Sequence, residues 1–220
     1  MDEANLSLAV SLQLSTLLRS DGYRVVLSRI DDRLLIDPTA DDRAQGALTP
    51  ASVRRDIAAR IDCANAAHAA ILVGIHFNAY EDPMVNGTET LYDGARPFAA
   101  ASQRLATLVQ HAVVAQLGTA GWVVADRGVK DDTTAGTPAL TTQGTAYGHL
   151  LQLGPAATGW LDHPSTMPGI ISEPVFLTNG AGADLATSTQ GQRALAQGVA
   201  QAITVYFGAR SASVPSRSSS

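Results

Sequence analysis

The stretch Ala69-Ala-Ile-Leu-Val-Gly-Ile75 constrains the fold more than any other in these 220 residues. It is apolar at every position, so it reads as a strand covered on both faces, the pattern of a parallel sheet flanked by helices. It ends at His76, and the chain turns polar at Asn78. Helical periodicity surrounds it. Leu6, Val10, Leu14 and Leu17 recur at helical spacing with Gly22 as a stop, predicting a helix over about 5–20. Thr49-Pro50 supplies a capping hydroxyl and a proline at the first helical position, opening a second helix with Val53, Ile57 and Ile61 on its apolar stripe. Further helices are predicted over about 98–117 and 190–207. Strands are predicted at 23–29, 87–92 (nearer a sheet edge), 149–153 and 169–172, with a loop around 126–130. Alternating helices and strands point to one α/β domain, a mostly parallel twisted sheet with helices on both faces. The domain is expected over 1–208, with a disordered Ser-rich tail over 209–220.

Composition removes several function classes. Fifteen Lys and Arg against twenty Asp and Glu give a net charge of -5 with no basic stripe, so nucleic acid is not an expected partner. No apolar run approaches the roughly 18 residues of a membrane span. The single cysteine, Cys63, excludes an internal disulfide and falls in a helical pattern, where a buried structural thiol is the simpler reading. The N-terminal residues show no export signal.

Ligands of open α/β sheets collect where strands end and polar groups converge. His76 and Glu173 both stand directly after apolar strands, and Glu3 lies in the first turn of the first helix, where the helix dipole favours a carboxylate. Each has a bland alternative: a hydrogen-bonded structural histidine, a first-turn acid, a solvated carboxylate. Glu173 resists it most, because an acid after a buried strand is costly unless a charge, metal or water meets it.

Six patches occur in order: Glu3-x-Asn5-x-x-Leu8-Ala9, Gly22-Tyr-Arg-Val-Val-Leu-Ser-Arg29, Arg60-x-x-x-x-Asn65, Gly74-Ile-His-Phe-Asn78, Arg127-Gly-Val-Lys130 and Ser172-Glu-Pro-Val-Phe-Leu-Thr-Asn179. Together they resemble the zinc-dependent N-acetylmuramoyl-L-alanine amidases of the Amidase_3 type, from Glu3 to about Phe207. The resemblance implies Zn2+ held by Glu3 and His76, with Glu173 as the catalytic carboxylate. It further implies a peptidoglycan or muropeptide substrate, a periplasmic or extracellular wall-associated setting and a monomer. It also implies a first strand and a Gly-His turn, carrying another zinc histidine, ahead of Glu3; this chain is therefore expected to be truncated at its N-terminus. His149 and His163 are the substitutes considered for that ligand, and His68 and His111 fall on helices with packing or surface roles. Gly74 stands where the family has serine, and Pro174 where it has small or polar residues. The alternatives are an inert wall-binding or regulatory module of the same fold, or a zinc hydrolase of another amide.

Overall fold

The computed structural model describes residues 2–135 and 141–211. Helix α1 (Glu3–Ser20) starts where the Asp2 carboxylate accepts the Ala4 amide, and α2 (Pro50–Ala66) where the Thr49 hydroxyl accepts that of Ser52. Between them lies a two-stranded hairpin, β1 (Arg43–Ala44) and β2 (Ala47–Leu48). The chain then runs through β3 (Leu72–Ile75), β4 (Thr88–Tyr92), α3 (Ala99–Thr119), β5 (Asp126–Asp131), α4 (Thr142–Tyr147), β6 (Gly169–Glu173), α5 (Gly180–Thr187) and α6 (Thr189–Ser211). The expected tail overlaps the end of α6 at 209–211, and 212–220 lie outside the described residues.

The main sheet has the order β3-β6-β4-β5. β3 pairs parallel with β6 and β4 parallel with β5, but β4 runs antiparallel to β6, so the sheet is mixed. On one face α1, α3 and α6 pack into the larger core, built around Val10, Leu105, Val109, Val113, Ile170, Leu195, Val199 and Ile203. On the other, Leu91, Leu153 and Ile171 form a smaller cluster beneath Leu150. No helix of the described residues is long and apolar enough to cross a membrane.

Three strand expectations need correction. Residues 23–29 form no ladder: Tyr23 lies against the Phe207 ring at 5.6 Å and Val25 packs on the core, so side chains rather than backbone pairing hold the segment. Residues 149–153 form a turn instead of a strand, closed by Leu150 accepting the Leu153 and Gly154 amides. β4 is interior rather than near an edge, because the loop expected at 126–130 is itself the edge strand β5. The polar residues of β4 mimicked a solvated face. In fact Thr88 donates to the Pro174 carbonyl and Thr90 to Gln110, while Glu89 is neutralised as described below.

The α3–α6 contact depends on a glycine. A Cβ on Gly198 would lie 2.8 Å from the Val113 Cα and 3.0 Å from the Ala112 carbonyl oxygen, both backbone atoms that cannot swing aside. Gly198→Ala should therefore destabilise the fold by roughly 1–2 kcal/mol, overpacking outweighing the helix propensity that alanine gains. Urea unfolding reads this as a lower midpoint at unchanged slope; a more stable variant would contradict the close approach.

Candidate active site

The parallel register pairs Ile75 with Ser172, so the next residues, His76 and Glu173, leave adjacent strands side by side. Across the antiparallel pair Glu173 is opposite Glu89. One end of the sheet thus carries the row His76, Glu173, Glu89.

Glu3 reaches this row from the first turn of α1. Its Oε1 lies 3.1 Å from His76 Nδ1 and accepts the Phe77 amide at 3.2 Å. Arg29, from the Ser-Arg patch, donates to the Ala4 carbonyl and so ties the start of α1 in place. Burial alone would raise the Glu3 pKa, but the His76 hydrogen bond and charge, the Phe77 amide and Arg29 outweigh it and bring it down. His76 shows the converse. Burial disfavours its cation, yet Glu3 and Glu173 raise its pKa. The other ring nitrogen, Nε2, lies 3.2 Å from Gln152 Oε1.

Glu173 is the perturbed acid. Burial pushes its pKa up to about 8, with the charges of Glu3 and Glu89 adding and that of His76 opposing. Its Oε2 is buried without a hydrogen-bond partner. Glu89 is 3 % exposed and is answered by three donors: Asn78 Nδ2 at 2.8 Å, Arg127 Nε at 2.8 Å and Lys130 Nζ at 2.6 Å. Arg127 and Lys130 are the ends of the Arg-Gly-Val-Lys patch. Sequence reasoning noted that patch without finding Glu89, whose only signal was a carboxylate inside an otherwise uncharged strand pattern.

The remaining family patches anchor the frame. Asn65 donates to the Pro164 carbonyl at 3.1 Å and accepts the Thr166 amide at 2.9 Å, while Arg60 pairs with Asp56 at 2.5 Å. Gly74 has a local reason. A Cβ there would lie 3.0 Å from Gln152 Oε1 and 3.1 Å from Ile171, so glycine makes room for Gln152 beside His76. Pro174 keeps a useful acceptor, its carbonyl taking the buried Thr88 hydroxyl.

The residues fit a divalent metal. The Glu3 and His76 atoms are spaced as two ligands of one ion with bonds of about 2.0–2.1 Å, and the buried, unpartnered Glu173 oxygen would gain from a neighbouring positive charge. Among the described residues no third His, Cys, Asp or Glu joins this pair with ligand atoms all within 4.8 Å. His68 and His111 are exposed. His163 is 81 % exposed, 3.9 Å from Asp62, and His149 sits with Asp93 and Asp132.

With this arrangement in view, a family model described as N-acetylmuramoyl-L-alanine amidase, Amidase_3, matches residues 1–205. The chain belongs to this family. N-acetylmuramoyl-L-alanine amidase LytC of Bacillus subtilis is 28% identical over 181 residues, which are 82% of this chain and 26% of that protein. The chain thus spans about a quarter of that relative's length. Among solved structures, the CwlD amidase from Clostridioides difficile in complex with the GerS lipoprotein aligns with a TM-score of 0.71 at 21% identity, over 95% of this chain and 88% of that one. An N-acetylmuramoyl-L-alanine amidase from Clostridium difficile 630 aligns with a TM-score of 0.64 at 24% identity, over 96% and 86%. At these identities the structural likenesses speak for the fold.

The raised Glu173 pKa has a thermodynamic consequence for the metal-free amidase fold. A carboxyl whose folded pKa exceeds its unfolded value near 4.5 stabilises the fold fully below 4.5, and that contribution is lost as pH rises through about 8. In protein stripped with a chelator, Glu173→Gln should therefore gain in Tm over wild type between pH 4.5 and 8, with the gap levelling above 8. A gap independent of pH would mean Glu173 is not held in this way.

Proposed function

We propose that this chain is a zinc-dependent N-acetylmuramoyl-L-alanine amidase that cleaves the amide between the lactyl group of N-acetylmuramic acid and L-alanine of the peptidoglycan stem peptide. The observation that carries the reading is the meeting of Glu3, His76 and the unpartnered Glu173 at one sheet end, in a chain of this family. Glu3 and His76 would hold the ion. When bound, zinc supplies Lewis acidity to the scissile carbonyl and lowers the pKa of the attacking water.

Every other task falls to side chains. Gln152 Oε1 would fix the His76 ring by accepting from Nε2, which leaves Nδ1 facing Glu3 and free to hold the ion. Glu173, aimed from a rigid strand, takes the proton of the attacking water and delivers it to the leaving amine nitrogen. Its burial tunes it for this: a carboxyl near pKa 8 falls into a useful range for a base once a cation is held beside it. Glu89, locked by Arg127 and Lys130, keeps the floor of the site rigid. The substrate implies action outside the cytoplasmic membrane, and we propose that the enzyme works as a monomer.

A second reading keeps the fold as a metal-free wall-binding module. It draws on Gln152 standing against His76 Nε2 and on the pair of protein ligands where a hydrolytic zinc commonly has three. In the amidase reading the outer edge of β3, unpaired among the described residues, accepts a further strand whose Gly-His turn brings another ligand.

Purified muropeptides separate the two. Glu173→Gln should lower release of the free L-alanine amino terminus by about 10²–10⁴-fold while leaving zinc content nearly unchanged, because it removes a base and no ligand. His76→Ala should lose both. Equal zinc loss in the two variants would remove Glu173 from the role of base, and intact muropeptides with every zinc-loaded form, including one fused to an N-terminal Gly-His strand, would favour the binding module.

A further inference from the structure

The antiparallel course of β4 builds a second polar cluster on the same sheet face. β6 ends at Glu173, opposite Glu89, and β4 then runs the other way to Asp93. Four residue steps along the strand separate Glu89 from Asp93, roughly 13 Å. β5, parallel to β4, delivers Asp132 just beyond the register pair Tyr92 with Asp131. His149 comes from the turn that follows α4. Between the two ends lies the apolar row of Leu91 and Ile171, capped by Leu150 and Leu153. The two polar groups are therefore separate sites.

Each carboxylate at this far end spends one oxygen on the backbone. Asp93 Oδ1 accepts the Ala95 amide at 2.6 Å, and Asp132 Oδ2 accepts the Leu150 amide at 2.7 Å. The other two oxygens turn inward with His149 Nδ1. Asp93 Oδ2 stands 2.8 Å and Asp132 Oδ1 3.6 Å from that nitrogen, and the three atoms all lie within 4.8 Å of one another. All three are buried and without a hydrogen-bond partner, the 2.8 Å approach being an ion pair when His149 is protonated. The Asp93 and Asp132 side chains are 2% and 0% exposed. Two buried carboxylate oxygens converging without a donor are costly. The nearby cation gives them no hydrogen bond: Arg96 feels the charge of Asp93 but donates to the Leu153, Gly154 and Ser165 carbonyls, and Asp131 adds a further negative charge beside Asp132.

We propose that Asp93, Asp132 and His149 form a structural site for a divalent transition cation, Zn2+ or Mn2+, distinct from the Glu3–His76–Glu173 site. Two carboxylate oxygens and one imidazole nitrogen are a borderline donor set that suits these ions better than the all-oxygen preference of Ca2+ or Mg2+. Ligand atoms around a zinc with bonds of about 2.0–2.1 Å stand a little over 3 Å apart, a spacing that the 2.8 and 3.6 Å separations from His149 Nδ1 bracket. The backbone bonds of Ala95 and Leu150 to the outer oxygens are the supports that orient metal-binding carboxylates. The site has a structural consequence. It clamps the turn through residues 148–153, and that turn places Gln152 against His76.

Metal counting on the full chain tests this. Protein stripped with EDTA and dialysed against ZnCl2, or separately MnCl2, is measured by mass spectrometry of bound metal, with folding checked by circular dichroism. The double variant Glu3→Gln/His76→Ala should keep one equivalent of zinc, and its Tm should rise by roughly 5–10 °C at a hundredfold excess over Kd. Adding Asp93→Asn, or His149→Gln should the first fail to fold, should abolish both the equivalent and the shift. A folded double variant that binds no zinc or manganese, or one whose bound metal survives Asp93→Asn and His149→Gln alike, overturns the proposal. Failure of the hydrolytic reading gives a different result: wild type and the double variant would then bind the same amount.

Discussion

The parallel pairing of β3 with β6 is the constraint on which the site depends. It fixes His76 beside Glu173 through backbone register, and two covered strands cannot slip by one residue without turning their apolar positions to the wrong face. Glu3 then needs only to arrive from the first turn of α1, which the Arg29 bond to the Ala4 carbonyl secures. The acid of Glu173 is raised by burial, a cost the fold sustains because α3 and α6 pack the opposite face of the sheet with a continuous apolar core.

The reversal at β4 is the second organising fact. It places Glu89 next to Glu173, and the Arg127–Lys130 patch answers Glu89 so that one of two neighbouring carboxylates is ion-paired while the other is left to titrate. The same reversal sends the C-terminal ends of β4 and β5 to the far edge and gathers Asp93 and Asp132 there. Gly74 and Gln152 connect the ends, since the missing side chain of one admits the amide of the other to His76.

Local features were legible in the sequence where local physics decides. The Thr49 cap with Pro50, the apolar strand before His76 and the acid after Ile171 all folded as their patterns imply, and the family patches brought Glu3 and His76 to one place. Features set by pairing were not legible. Residues 23–29 have strand chemistry but meet no ladder, and the polar alternation of β4 signalled buried hydrogen bonds rather than solvent. Glu89 and the Asp93–Asp132–His149 cluster depend on strand direction and register, which no single stretch of sequence carries.

The central claim is that Glu3 and His76 share one metal ion beside Glu173. Anomalous diffraction at the zinc edge, from crystals grown with ZnCl2, tests it most directly. The account predicts a peak within bonding distance of Glu3 and of the His76 ring, with the Glu173 carboxylate next to it but outside that distance. A zinc peak absent from this sheet end, or bonded to Glu173 in place of Glu3, would contradict it.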